Sequence, residues 1–197
     1  MRLFLDICQG AGLSGAAGIR PFLPALLSGA AASADLGVDY EGTRYAFLES
    51  PVFLLAIIVL LVVTVVLERR RADAAASGPF AAAIAGVAIG VGALLFAGSL
   101  ADHGETSLIW LLPGVLCAVL GSAAARSLFL RVRARLRAER EARAALPVYA
   151  DGSSLVAAGL ALLIPPISVL LLALFGWLIA GGRRREGQKY AGLRILR

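Results

Sequence analysis

Long apolar runs separated by short charged connectors dominate the pattern of this chain. The run over 51–67 carries no charge, opens on Pro51 and closes on Glu68-Arg69-Arg70-Arg71. About 17 residues at roughly 1.5 Å each cover most of a bilayer's hydrocarbon core, and proline suits a first helical position. Similar runs over 80–100 and 107–125 predict two further spans. The turn 101–106 between them is expected on the outer side, with Trp110 near that interface as aromatic-belt residues often are. Two more apolar regions are interrupted. The first, 3–34, contains Arg20-Pro21-Phe22-Leu23-Pro24, and the last, 153–180, contains Pro165-Pro166. Proline lacks a backbone donor and clashes with the preceding turn, so both regions should break there. The expected fold is an all-α polytopic integral membrane helical bundle. Three regular spans are flanked by two proline-broken inserted regions, in one domain over 1–182 with a basic tail at 183–197.

Composition agrees with this pattern. Only 16% of the 197 residues are charged, against about 25% in soluble domains. The net charge of +6 is sorted by position. Arginine gathers at 69–71, 126–143 and 183–197, while acids dominate 35–49 and 102–105. Such sorting is what the positive-inside rule produces, and it predicts cytoplasmic basic ends in contact with anionic lipid headgroups. The basic clusters abut apolar spans and lack interleaved aromatics, which argues against a nucleic-acid partner. Segment 126–146 is too charged to span. Its Leu128, Leu130, Val132 and Leu136 predict one basic helix that extends from the membrane or lies on it. Because the flanks of 153–180 are both basic, a hairpin turning at Pro165-Pro166 keeps both on one side; a single kinked span is the alternative. Cys8 and Cys117 lie in apolar runs without metal spacing and read as packing residues.

Chemistry-bearing residues are few. A small-residue face (Gly12, Ser14, Gly15, Gly18), echoed at Gly86 and Gly90 and at Gly114, Ala118 and Ser122, suits close helix packing in lipid and leaves homo-oligomerisation open. Arg20 is the one charge deep in the first apolar region. At mid-bilayer it costs roughly 2.5–3.5 kcal/mol and calls for a cavity, a headgroup or a partner such as Asp6 or Asp151. The helix start after it offers free amides and a positive dipole end to an anion. Gly12-Leu13-Ser14-Gly15 fits a G-x-S-G pattern known from intramembrane serine proteases. However, the lone histidine, His103, falls in the outer turn, too remote to serve Ser14 as a base. Asp151 or Ser153 is expected to cap the helix that follows. No cofactor or metal motif is present in the sequence. The candidate ligand site is therefore Ser14, Arg20, Pro21 and Pro24 from the first break with Pro165 and Pro166 from the last, since paired broken helices mark transporter sites.

Gly12-Leu13-Ser14-Gly15-Ala16-Ala17-Gly18-Ile19-Arg20-Pro21-Phe22-Leu23-Pro24 resembles the opening of the bacterial membrane proteins grouped under domain of unknown function 4126. The order of elements matches too: a Gly-rich broken first helix, a span ending in Glu68, two central spans, and a late apolar region split by proline. The ending Lys189-Tyr190-Ala191-Gly192-Leu193-Arg194-Ile195-Leu196-Arg197 looks like an actinobacterial-type branch. The chain departs from the main group after Glu68, where Arg69-Arg70-Arg71-Ala72-Asp73 replaces an acidic and lysine-containing connector. The resemblance implies a multi-pass protein of the bacterial inner membrane and supplies no activity. From the residues, a small transporter or lipid- or anion-handling protein leads, a non-catalytic scaffold or accessory subunit follows, and an enzyme comes third.

Overall fold

A computed structural model describes residues 2–70, 78–101, 107–136 and 140–191. The connector after Glu68 beyond Arg70, the 102–106 part of the outer turn with His103, and the end of the basic tail lie outside the described residues. Among the described residues seven α-helices follow in order: α1 (Arg2–Ile19), α2 (Phe22–Ala32), α3 (Pro51–Arg70), α4 (Pro79–Ala101), α5 (Leu111–Arg135), α6 (Arg140–Leu163) and α7 (Ile167–Ala191). Short 3-10 turns, Ala46–Glu49 and Leu108–Trp110, lead into α3 and α5. The described chain has no strand. Among the described residues, four helices are long and apolar enough to cross a membrane, at Pro51–Glu68, Pro79–Ala101, Leu108–Arg135 and Ala145–Leu163. The protein is an all-α membrane bundle.

α1 is the axis of the bundle, packed against α4, α5, α6 and α7. Its residues from Cys8 through Gly18 are all buried. Glycine makes this possible because helix backbones can touch where no Cβ intervenes. A Cβ on Gly10 would press on Ser99 and Phe96 of α4, and one on Gly18 would collide with the Ala118 carbonyl of α5. α1 ends at Ile19 because Pro21 disfavours helical geometry at the residue before it. Pro24 then falls in the first turn of α2, where the missing N–H has no partner to lose.

Two boundaries differ from the sequence expectation. The basic stretch 126–146 is not a helix of its own: its first part continues α5 to Arg135, and its end opens α6. Helix continuity wins there because arginine and alanine are good helix formers and no proline or glycine interrupts α5 after Gly121. α6 likewise runs unbroken through residue 153, with Pro147 inside it, so Asp151 is a mid-helix residue rather than a cap. At Pro165-Pro166 the chain turns back. Gly12 of α1 faces both Ala161 of α6 and Ser168 of α7, whereas Gly15 faces Phe175, farther along α7. α6 and α7 thus form an antiparallel pair whose open ends lie toward Ile19, beside Ser153 and Leu178.

Candidate functional site

The junction between α1 and α2 delivers Arg20 to the end of the bundle where α3 finishes and α6 enters. There its guanidinium grips two carboxylates. Nη1 and Nη2 donate to Oε1 and Oε2 of Glu68 at 2.6 and 2.9 Å, a two-pronged fork. Nε lies 3.2 Å from Oδ1 of Asp151. Arg20 and Glu68 side chains are each 14% exposed and Asp151 is 21% exposed. The Ser154 hydroxyl donates to the Arg20 carbonyl at 3.1 Å, so α6 also holds the backbone of the junction. Three helical regions that share no sequence neighbourhood are tied at one point. Planar arginine suits this because its donor fork matches a carboxylate, whereas a lysine would present a single point charge.

Beside this cluster a cleft of about 520 Å³ opens between α4, α5 and α6, and both Arg20 and Glu68 line it. The α5 wall carries Arg126, Phe129, Leu130 and Arg133, all facing the cleft. This i, i+3, i+4, i+7 spacing makes one helical stripe, with its two charges about 10 Å apart along the axis. Among the described residues, neither Arg126 nor Arg133 has a carboxylate within 4.0 Å. The opposite wall, Ala81, Ala82 and Ala85 of α4, is apolar and small. A second hollow of about 250 Å³ adjoins the first, sharing Ile19, Ala125 and Phe129. It is lined chiefly by Leu128, Leu160, Leu171, Leu174 and Leu178, with Ser153 as its one polar residue. A charged cleft and an apolar one therefore lie side by side across a common wall.

The residues singled out from the sequence are not gathered into one place. Arg20 lines the cleft, while Pro21 and Pro24 are fully buried behind it in the packing of α2. Ser14 is fully buried, and its hydroxyl donates to the Gly114 carbonyl at 2.6 Å. That bond fastens α1 to α5, a packing contact, and His103 lies outside the described residues. Pro165-Pro166 lies at the far tip of the α6–α7 pair. Leu163 is twelve residues beyond Asp151, about 18 Å along the helix. The two proline breaks do not meet, because a hairpin carries its turn to the end opposite its open mouth. Of the two partners weighed for Arg20, Asp151 is paired to it, whereas Asp6 lies near Ser99, toward the other end of α1.

Glu68, Arg126 and Arg133 were not recognised from the sequence as site residues. For Glu68 a signal existed: it is the first acid at the end of the cleanest span, at a depth where a buried arginine would need one. Arg126 and Arg133 gave only the general sign of a basic connector. Their shared stripe appears once α5 is seen to run on to Arg135.

A sequence model described as a domain of unknown function, DUF4126, matches residues 7–185, nearly the whole chain. The chain belongs to the DUF4126 family. The matched region includes every residue of the Arg20 cluster and both walls of the cleft. No curated protein and no solved structure matches the chain. Membership in DUF4126 assigns no activity, and the membrane class rests on the long apolar helices of the chain itself.

Proposed function

We propose that this DUF4126 protein handles phospholipid, binding a headgroup in the Arg126–Arg133 cleft and an acyl chain in the adjoining apolar hollow. The observation that carries this is that the two spaces lie side by side on α5, sharing Ile19, Ala125 and Phe129 as a common wall. Free inorganic anions need no apolar extension, while a phospholipid requires both parts. Depth supports the same assignment. The apolar window of α3 ends at Glu68, and the uncharged part of α5 ends at Ala125, so both levels meet the headgroup zone. Arginine is the side chain of choice for phosphate, and no described carboxylate pairs with Arg126 or Arg133. Arg20 itself is a poor anion ligand, because two carboxylates already hold it; its part is to fix the corner of the cleft. The basic ends belong on the cytoplasmic face of a bacterial inner membrane by the positive-inside rule.

Native mass spectrometry of delipidated protein titrated with phospholipid tests this directly. An Arg126→Ala/Arg133→Ala variant should lose roughly ten- to a hundredfold in retention for each arginine removed, since each charged hydrogen bond contributes about 1.5–3 kcal/mol. Equal retention by wild type and variant, both monodisperse, would end the proposal. In liposomes the same pair would show whether binding leads to transbilayer movement of lipid. A second proposal, a scaffold or accessory subunit, draws on α3. Among the described residues that helix packs mainly on α2 and the turn before it, meets Arg20 through Glu68 at its end, and exposes Val52, Leu55, Ile58, Val62 and Val66. A stoichiometric partner that leaves with α3 substitutions would favour it.

A further inference from the structure

We propose that Phe129 is the residue a bound lipid must displace, so that its side chain controls how fast lipid enters and leaves the site. This rests on the phospholipid assignment above and adds the control of exchange. The basic cleft and the apolar hollow both lie in the gap between α5 and α6, which touch each other only sparsely. The wall they share is made of Ile19, Ala125 and Phe129. A lipid with its phosphate at Arg126 and Arg133 and a chain among Leu128, Leu160 and Leu174 has to cross that wall.

Of the three, Phe129 is the one that can yield. Ala125 has no side-chain torsion to turn. Ile19 is β-branched, which restricts it in a helix. It also ends α1 beside Arg20, whose guanidinium is held by Glu68 and Asp151 and whose carbonyl accepts from Ser154. Phe129 turns about two torsions while its backbone stays inside the continuous α5. It is half-buried and belongs to neither packed apolar cluster of the core. Close packing is what normally holds a ring in place. Here a space of about 520 Å³ lies on one side of the ring and one of about 250 Å³ on the other. Turning the ring into either space opens the wall. Phe175, the other aromatic of the hollow, has no such freedom, because it is buried against Gly15 of α1.

The test uses the full chain, delipidated and loaded with phosphatidylglycerol. Exchange against the isotopically labelled lipid is followed by native mass spectrometry, and glycerol 3-phosphate serves as an acyl-free probe. Phe129→Ala should speed exchange roughly two- to tenfold, the rate equivalent of no longer holding a side chain off its rotamer. Phe129→Trp should slow exchange by a similar factor. Phe129→Leu should fall between alanine and wild type, and it carries the test should the alanine variant fail to fold. Binding of glycerol 3-phosphate should be the same in all of them, since it needs the cleft alone. Equal exchange rates in wild type and variants, with retention still dependent on Arg126 and Arg133, overturn the role of Phe129 and leave phospholipid binding standing. A change in glycerol 3-phosphate binding as large as the change in lipid exchange makes Phe129 an ordinary wall of the cleft and overturns its role equally. Retention indifferent to Arg126 and Arg133 overturns both.

Discussion

Removing Arg20 should damage this protein more through what it leaves behind than through what it takes away. In Arg20→Ala, Glu68 and Asp151 would face each other across a vacated corner at 14% and 21% side-chain exposure, without a cation between them. Breaking a buried pair by deleting one partner costs about 3–5 kcal/mol. Partial exposure places the expected loss at the low end, about 3 kcal/mol, and protonation of one carboxylate limits it further. For a chain of this length, that corresponds to a fall of about 6–12 °C in melting temperature. Because membrane proteins often unfold irreversibly, half-life at fixed temperature in detergent is the sounder readout. Arg20→Lys keeps the charge and loses the fork, so it should sit between wild type and alanine. The decisive arm is Arg20→Ala combined with Glu68→Gln. Removing a carboxylate along with the arginine should recover much of the loss, which no lost packing contact would do. A double variant as unstable as the sum of its two single variants would refute the ion-pair account.

Three further outcomes follow from the packing. Gly18→Ala or Gly121→Ala forces a Cβ into the Ala118 or Gly15 carbonyl and should destabilise by about 1–3 kcal/mol, whereas Gly86→Ala and Gly90→Ala meet nothing within 4 Å and should be neutral or mildly stabilising in the same melts. Ser14→Ala removes one interhelical hydrogen bond and should cost only about 0.6 kcal/mol, and a serine-reactive fluorophosphonate should leave Ser14 unlabelled in wild type. In a background lacking Cys8 and Cys117, single cysteines at Val148 and Gly181 should react with an impermeant maleimide from the same side of sealed vesicles; labelling from opposite sides would rule out the turn at Pro165-Pro166.

Hydropathy and proline placement determined the class of this protein by themselves. Charge-free runs of bilayer length can satisfy their backbone only as helices, and Pro21 and Pro165-Pro166 had to interrupt theirs whatever the surroundings. The glycine-rich face of α1 also announced close packing, although four different helices using it was not visible in a linear pattern. Tertiary structure alone decided which charges meet. Glu68 and Asp151 are 48 and 131 residues from Arg20, and no local rule relates them. Periodicity along one helix says which residues share a face, as with Arg126 and Arg133, but not what stands opposite. For the same reason the expected meeting of the two proline breaks failed. A break fixes where a chain turns, while the length of α6 set how far that turn lies from Arg20. The cleft exists only because α4, α5 and α6 separate at one end, and that spacing is a property of the assembled bundle.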